Sequence, residues 1–324
     1  MIKVGIVGYG NLGRGVRLAV EKAPDMECVG IFTRRSPETV KPVIDTPVYS
    51  FNDMEKFVGK IDVMLLCGGS ATDLPTITKS VLKNFNTVDS FDTHAKIPEY
   101  FKELDAVAKE SDKLALISVG WDPGLFSMAR MLFGAFLPDG NDYTFWGKGV
   151  SQGHSDAIRR IDGVAGAIQY TIPKTQALSL VREGANPNLS AREKHLRECF
   201  VVLKDGADKD YVEKTIKEMP NYFADYDTVV HFISLEELKE KHSKLAHGGF
   251  VLRSGNTTDE NKHLLELSIK LDSNPEFTGS VVTAFGRAVA KMAKEGKTGA
   301  CTAFDIPIGY LSPLSAEDLR KNLL

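Results

Sequence analysis

Three glycines near the N-terminus have the spacing of a dinucleotide-binding turn. Gly8, Gly10 and Gly13 follow a short apolar run and precede a helical pattern. The first glycine permits a tight turn, the second lets the backbone approach a pyrophosphate, and the third lets the helix pack on the strand. The first turn of such a helix also offers free N–H groups to a phosphate. The sequence therefore predicts a dinucleotide site over residues 8–13.

The second apolar run ends in Thr33, Arg34 and Arg35. This is about 20 residues past the last glycine, where an NAD site usually carries an acid for the ribose 2′-hydroxyl. Here a hydroxyl and two guanidinium groups occupy that place, and Arg pairs with phosphate through a planar fork. The sequence therefore predicts NADP rather than NAD as cofactor. The alternative is a pair of exposed surface arginines.

Small and acidic residues follow three later strand patterns. Ligands of open α/β sheets bind outside the carboxyl ends of the strands, so these segments are expected at the cofactor. Asp92 and Asp122 would bring carboxylates to its reacting end. The alternative of a surface turn capped by Asp applies to Asp89, and less to Asp92 and Asp122. The residues expected to contact the cofactor are Gly8, Tyr9, Gly10, Asn11, Leu12, Gly13, Thr33, Arg34, Arg35, Cys67, Gly68, Gly69, Ser70, Ser90, Phe91, Asp92, Val119, Gly120, Trp121, Asp122 and Pro123.

Strand and helix patterns alternate over the first 120 residues, which predicts a parallel sheet with helices on both faces. The strand patterns lie at residues 3–7, 27–32, 63–67, 87–88 and 114–119, and the helical patterns at 12–22, 53–58, 74–84 and 98–110. After about residue 140, runs of period two such as 265–271 indicate an antiparallel sheet with one solvated face. The polar segment 182–197 predicts a loop followed by a helix, and 280–294 has the spacing of an amphipathic helix.

Composition limits the possible partners. The chain has 324 residues, 43% of them hydrophobic, and a net charge of −3. This length suggests about two domains, and the apolar content excludes a disordered chain. The charge gives no long-range attraction to nucleic acid or to an anionic membrane. Four dispersed cysteines predict free thiols, with no metal site or disulfide framework. We find no pattern typical of a signal peptide or membrane span, so we expect a soluble cytoplasmic protein.

Seven motifs in order resemble the NADP-dependent meso-diaminopimelate dehydrogenase family over essentially the whole chain. They are residues 8–13, 33–35, 69–73, 120–124, 145–147, 151–157 and 247–249. The resemblance implies a Rossmann dinucleotide-binding domain formed by residues 1–120, to which residues 275–324 return. It also implies an α+β substrate-binding and dimerisation domain over residues 121–274 with a mainly antiparallel sheet, and a homodimer.

The resemblance further implies an oxidoreductase acting on a CH–NH2 group. Its reaction is reversible oxidative deamination of the D-centre of meso-2,6-diaminopimelate to L-2-amino-6-oxopimelate, which cyclises to tetrahydrodipicolinate, with release of ammonia and NADPH, in lysine biosynthesis. Asp92 and Asp122 are the implied catalytic residues, and the proton acceptor is one of them or a water; His154 is a further candidate by residue type. The implied substrate-binding residues are Asp92, Asp122, Trp146, Gln152, Gly153, Thr171, Arg197, His247 and Asn274.

For Arg197 the residues alone and the resemblance lead to different expectations. Its neighbours are mostly charged, and from the residues alone it is expected on a solvated helix face. The resemblance instead assigns it, with Thr171, His247 and Asn274, to the non-reacting carboxylate of the substrate, which an Arg can hold bidentately.

Three alternatives remain open. A broader D-amino-acid dehydrogenase would share the cofactor site but would not need an anchored distal carboxylate. A sensor would bind NADPH without turnover. An aldehyde dehydrogenase would use Cys67 or Cys199 as a nucleophile, although neither lies in a recognisable nucleophile motif.

Overall fold

The computed structural model describes residues 1–70 and 72–324. Ala71, part of the motif over residues 69–73, lies outside the described residues. The strands are β1 (Ile2–Val7), β2 (Met26–Thr33), β3 (Val48–Ser50), β4 (Val63–Leu66), β5 (Thr87–Asp89), β6 (Leu114–Leu116), β7 (Gly140–Trp146), β8 (Gly149–Val150), β9 (Val164–Pro173), β10 (His195–Leu203), β11 (Asp227–Phe232), β12 (His247–Asn256), β13 (Lys262–Leu271) and β14 (Gly299–Cys301). The α-helices are α1 (Asn11–Lys22), α2 (Leu74–Leu82), α3 (Ile97–Glu110), α4 (Leu125–Phe136), α5 (Gln152–Arg159), α6 (Thr175–Arg182), α7 (Ala191–Lys194), α8 (Lys209–Lys217), α9 (Leu235–Lys241), α10 (Asn274–Lys294) and α11 (Ala316–Leu323).

The chain divides into two compact units. Unit 1 comprises residues 1–128 and 275–324, and unit 2 comprises residues 129–274. Unit 1 contains a seven-stranded sheet in the order β14-β6-β5-β4-β1-β2-β3, and every neighbouring pair in it is parallel. The predicted α/β class with a parallel sheet is therefore confirmed. The carboxyl ends of these strands meet along one edge of the sheet.

Buried apolar runs explain the sheet of unit 1. The strand β4 is fully buried along its length, as expected for a parallel strand with helices on both faces. On one face Val16 of α1 and Val282 of α10 share a buried apolar cluster with Ile6. On the other face Leu74 of α2 and Leu104 of α3 share a second cluster with Leu66.

The C-terminal segment belongs to unit 1 and completes its sheet. The helix α10 approaches α1 so closely that side chains are excluded at two glycines. A Cβ at Gly15 would lie 2.8 Å from the Cα of Glu276, and one at Gly279 would lie 2.5 Å from the backbone nitrogen of Val16. After α10, the strand β14 pairs with β6 at the end of the sheet.

Unit 2 contains two smaller sheets. A four-stranded sheet has the order β11-β10-β9-β8, and a three-stranded sheet has the order β13-β12-β7. All pairs are antiparallel except β10 with β11, so the prediction of a mainly antiparallel second domain is confirmed. No helix in the described part of the chain combines the length and the hydrophobicity needed to cross a membrane.

Two local predictions were only partly right. The segment 182–197 contains the expected loop followed by a helix, α7, but β10 then begins at His195 and places Arg197 on a strand. Alternate residues of β10 are buried, but two of them, His195 and Arg197, are polar. The sequence therefore lacks the alternation of apolar and polar residues that predicts a strand. The helix expected at 53–58 is a 3-10 helix over Phe51–Phe57.

Candidate active site

The glycine turn after β1 leaves room for a phosphate group. Gly8 has a φ of +88°, and its N–H donates to the carbonyl of Phe32 at 2.9 Å. A Cβ at Gly13 would collide with the carbonyl oxygen of Gly8, whereas a Cβ at Gly10 would meet no described atom within 4 Å. No side chain of the described residues caps the start of α1 at Gly10. The open space and the uncapped helix start fit a pyrophosphate.

The segment after β2 places two guanidinium groups beside this turn. The Nη2 of Arg35 donates to the carbonyl of Tyr9 at 2.9 Å, and its backbone N–H donates to Thr33 Oγ1 at 3.1 Å. The Nη2 of Arg34 lies 2.6 Å from Oδ1 of Asp73, and more than half of the Arg34 side chain is exposed. Exposed forks at this position suit a 2′-phosphate.

Asp73 was missed by the sequence analysis. It joins the segments after β2 and β4, because it pairs with Arg34 and accepts from the N–H of Gly69 at 2.9 Å. The Gly69 hydrogen bond, and then the Arg34 guanidinium, lower the pKa of the Asp73 carboxyl. Its position at the start of α2 was the available signal, since acids are favoured at helix N-termini.

The segments after β4, β5 and β6 lie at neighbouring positions along the sheet edge. Cys67 lies against the glycine turn, where a Cβ on Gly8 would be 3.3 Å from the Cys67 carbonyl oxygen. The hydroxyl of Ser70 accepts from the N–H of Asp92 at 2.8 Å. Asp92 is exposed and Asp122 is half-buried. This edge therefore carries two carboxylates beside the predicted cofactor site.

Other residues predicted at the cofactor have buried side chains. Tyr9, Phe91, Val119 and Trp121 are at most 8% exposed. The ring of Trp121 packs edge-on against Phe126 at 5.2 Å. These side chains fix the backbone of the segments that carry them, and a direct contact with a cofactor stays a prediction for each.

Arg197 in unit 2 is a buried cation with an unused donor. It lies opposite Thr171 across β9 and β10 and donates to the Thr171 hydroxyl. Its guanidinium carbon lies 4.0 Å from the centre of the Tyr226 ring. Its Nε is buried and has no hydrogen-bond partner among the described residues. Because an unpaired buried donor is costly, this group is suited to receive an anion such as a carboxylate.

The charge of Arg197 acts on three buried or half-buried histidines. Burial, and then the charge of Arg197, lowers the pKa of His154 to about 4 and that of His195 to about 3. The pKa of His247 is lowered for the same two reasons, burial being the larger. All three are therefore neutral near pH 7, so Arg197 supplies the positive charge of this cluster.

His195 was also missed, and it holds Trp146 in place. The backbone N–H of Trp146 donates to His195 Nε2 at 2.8 Å, and the two rings stack with centres 5.4 Å apart. His195 acts as an acceptor here, which a neutral imidazole can do. The available signal was its spacing of two from Arg197, which places both on one face of a strand.

The remaining predicted substrate residues lie on three other segments of unit 2. Gln152 and Gly153 begin α5 and are exposed, and a Cβ on Gly153 would meet no described atom within 4 Å. The ring of His247 excludes a side chain at Gly149, where a Cβ would lie 2.6 Å from Nδ1. Asn274 is half-buried, and its N–H donates to Leu245 O at 2.9 Å.

The cysteines considered as nucleophiles are poorly suited to that role. Cys67 and Cys199 are both buried. Burial raises the pKa of the Cys199 thiol to about 12 and raises that of Cys67 as well. Since the thiolate is the nucleophile, this burial argues against the thiol-dependent alternative.

The buried histidines should make the folded protein less stable in acid. The folded-state pKa values of His154 and His195 lie below the ordinary 6.5, so the unfolded chain binds more protons as the pH falls below 6.5. The free energy of unfolding therefore keeps its full value above that pH. It should fall by about 3 kcal/mol for each histidine by pH 4. Urea unfolding at pH 7, 5.5 and 4 measures this loss.

A matched pair of variants isolates the contribution. His154→Asn/His195→Asn should flatten the pH dependence of the free energy of unfolding, while His263→Asn on the exposed strand β13 should leave it unchanged. A wild-type steepness retained in the double variant would contradict the assignment.

Comparisons with known proteins agree over the full chain. The family profile for the diaminopimelic acid dehydrogenase C-terminal domain matches residues 120–273. A meso-diaminopimelate D-dehydrogenase of Acetivibrio thermocellus is 59% identical, with 100% of this chain and 98% of the relative covered. A Corynebacterium glutamicum diaminopimelate dehydrogenase, solved in complex with diaminopimelate, is 42% identical with a TM-score of 0.94, over 100% of this chain and 99% of that one. An engineered D-amino acid dehydrogenase bound to NADP+ is 40% identical with a TM-score of 0.89, over 100% and 99% of the two chains.

Proposed function

The chain belongs to the meso-diaminopimelate dehydrogenase family, and from this premise we propose how its residues carry out the reaction of that family. The reaction is NADP-dependent, reversible oxidative deamination of the D-centre of meso-2,6-diaminopimelate. It yields L-2-amino-6-oxopimelate, which cyclises to tetrahydrodipicolinate, together with ammonia and NADPH. The observation that carries the assignment of residues is Arg197, whose buried Nε has no partner among the described residues.

The non-reacting end of the substrate is held by unit 2. Arg197 grips the distal carboxylate, with its unpaired Nε supplying one of two parallel hydrogen bonds. Thr171 already bonds to Arg197 and orients it. His247 and Asn274 supply further hydrogen bonds. The neutral histidines leave Arg197 as the charge that selects a dicarboxylate over a monocarboxylate.

Asp92 and Asp122 of unit 1 hold the reacting end in this proposal, while Trp146, Gln152 and Gly153 of unit 2 stay predicted substrate contacts. NADP+ supplies the hydride acceptor when bound. The two carboxylates pair with the substrate ammonium and stabilise the positive charge of the iminium that forms at the substrate carbon. The ammonium first loses a proton to one of them, directly or through a water, so that the nitrogen lone pair can form the C=N bond as the C–H bond of the substrate carbon breaks and its hydride leaves. Water then adds to the iminium carbon, and ammonia leaves.

Unit 1 binds the dinucleotide in this proposal. The turn over residues 8–13 and the start of α1 receive the pyrophosphate, and Thr33, Arg34 and Arg35 receive the 2′-phosphate. The support is the open space at Gly10 and the two guanidinium groups beside Tyr9 and Asp73. The segments at 67–70, 90–92 and 119–123 then face the nicotinamide half.

Removing both guanidinium groups should greatly reduce the preference for NADP+ over NAD+. We expect Arg34→Gln/Arg35→Gln to raise the Kd of NADP+ by about 30-fold, because two charge-assisted contacts are lost, and to change the Kd of NAD+ little. Fluorescence titration with both dinucleotides measures the ratio. Arg320→Gln, on α11, is the matched control. An unchanged NADP+ to NAD+ ratio in the double variant would refute the 2′-phosphate assignment.

The substrate assignment is tested with stereoisomers. Reduction of NADP+ is measured with meso-, LL- and DD-diaminopimelate and with D-norleucine, which has no distal carboxylate. Activity largely confined to the meso isomer supports the proposal. Comparable activity with D-norleucine would favour a broader D-amino-acid dehydrogenase, and binding of NADP+ without turnover on any of them would favour a sensor.

We also propose a cytoplasmic homodimer. The family resemblance supports the dimer, and four cysteines that are all free support a reducing compartment. Sedimentation equilibrium of the full chain tests the dimer.

A further inference from the structure

Asp89 at the end of β5 is a buried carboxyl on which three neutral donors converge. Its Oδ1 accepts from the backbone N–H of Phe91 and of Ser118, both at 3.0 Å. Its Oδ2 accepts from the hydroxyl of Tyr100 at 2.7 Å. The carbonyl of Asp89 also accepts from the N–H of Val119 at 3.0 Å. One residue therefore bonds to the segment after β5, the segment after β6 and the helix α3.

The two segments joined in this way each carry one carboxylate of the proposed reaction. Asp92 directly follows Phe91, and Asp122 follows Ser118 and Val119 within one short segment. Ser118 has a φ of +59°, a conformation that a residue other than glycine adopts only when its surroundings hold it there. The hydrogen bond from its N–H to Asp89 is one such restraint.

A polar acceptor buried at this place is costly, so its presence needs a reason. Acids are rarely fully buried, and burial raises the pKa of Asp89. An apolar side chain of similar size would avoid that cost. It would also leave the N–H groups of Phe91 and Ser118 without their shared acceptor, which costs free energy in a buried site.

We propose that Asp89 is a positioning residue for the reaction, which fixes the placement of Asp92 relative to Asp122 through its bonds to both segments. This inference rests on the roles proposed above for those two aspartates. A misplacement of about 1 Å at reacting groups can lower a rate about 100-fold, so loss of the shared acceptor should be visible in turnover.

Three substitutions separate the two loop bonds, from the N–H groups of Phe91 and Ser118 to Asp89, from the bond that Tyr100 makes to Asp89. Asp89→Asn keeps an oxygen that accepts from both backbone N–H groups. Its amide NH2 then faces the Tyr100 hydroxyl, which can accept because its own proton can go to Thr78 Oγ1 at 2.8 Å. Tyr100→Phe removes the bond from α3 to Asp89, together with the bond from Tyr100 to Thr78, and keeps both loop bonds. Asp89→Ala removes the Tyr100 bond and both side-chain bonds to the loops.

The experiment compares kcat, KM for meso-diaminopimelate, NADP+ affinity and the deuterium isotope effect with substrate deuterated at the reacting carbon. Asp89→Ala should lower kcat about 100-fold, raise KM and increase the isotope effect, with the Kd of NADP+ changed less than about threefold. Asp89→Asn and Tyr100→Phe should stay within about threefold of wild type in all four quantities. Asp89→Ser, whose short hydroxyl cannot serve both loops, replaces Asp89→Ala if the latter does not fold.

Two results would overturn the proposal. A lower kcat in Asp89→Ala with unchanged KM and isotope effect would mean only a smaller folded fraction, and wild-type kinetics would mean no role. Failure of the proposed function is recognised separately. It would appear as wild-type enzyme without turnover of meso-diaminopimelate, or as full turnover in Asp92→Asn and Asp122→Asn.

Discussion

Replacement of Arg197 by methionine should raise the KM for meso-diaminopimelate by about 100-fold or more, a loss of about 3 kcal/mol. Arg197 is 6% exposed, so the distal carboxylate would enter a desolvated site without its charged partner. Methionine keeps a similar length and can still pack on the Tyr226 ring. The Kd of NADP+ should change less than about threefold, because the cofactor site lies on other residues. Steady-state kinetics and cofactor titration measure both quantities.

The matched control is Arg192→Met. Arg192 lies near Arg197 in sequence but is about half exposed and pairs with Asp227 at 3.0 Å. Exposed ion pairs contribute little, so this variant should keep wild-type KM. The ratio of activity on meso-diaminopimelate to that on D-norleucine should also fall in Arg197→Met alone. A normal KM in Arg197→Met would remove the residue from the site.

Asp122→Asn should lower kcat by about 100- to 1,000-fold while leaving NADP+ affinity within about threefold of wild type. The amide keeps the size of the carboxylate but loses the negative charge that stabilises the iminium. The loss therefore falls on the transition state, where that charge develops. Single-turnover NADP+ reduction and cofactor titration separate the two effects.

The control substitution changes the same residue type at a remote site. Asp112 lies in an exposed turn with a φ of +51°, which Asn tolerates as well as Asp. Asp112→Asn should be kinetically silent. If Asp122→Asn weakened NADP+ binding as much as it lowered kcat, Asp122 would mainly shape the cofactor pocket. Asp92→Asn, measured beside it, shows whether the two carboxylates contribute equally.

The cofactor half of the fold could be predicted because its signals are local. The glycine turn lies within six residues, and buried strands such as β1 and β4 are short, mainly apolar runs. Sequence order then places the strand ends together, because parallel strands share one carboxyl edge. That rule locates the segments after β4, β5 and β6 without any knowledge of the contacts between them.

The substrate half could not be predicted in the same way, because its buried strand carries polar residues. His195 and Arg197 occupy inward positions of β10, which sequence patterns expect to be apolar. Sequence rules fail most often at functional sites for this reason. The supporting residues depend on distant partners as well. Asp73 and Arg34 are 39 positions apart, and Asp89 and Ser118 are 29 apart, so no local pattern identifies either pair.

Unit 1 is formed by two separate parts of the chain, and this affects how it folds during synthesis. A ribosome must complete residues 129–274 before it can make α10 and β14, which finish the sheet of unit 1. Until then β6 pairs only with β5 and forms an open edge of the sheet, and apolar residues that later share a core with Val282 and Phe285 remain open to water. Exposed edges and apolar surface promote aggregation of nascent chains. The growing chain is therefore most open to aggregation while its second unit is being translated.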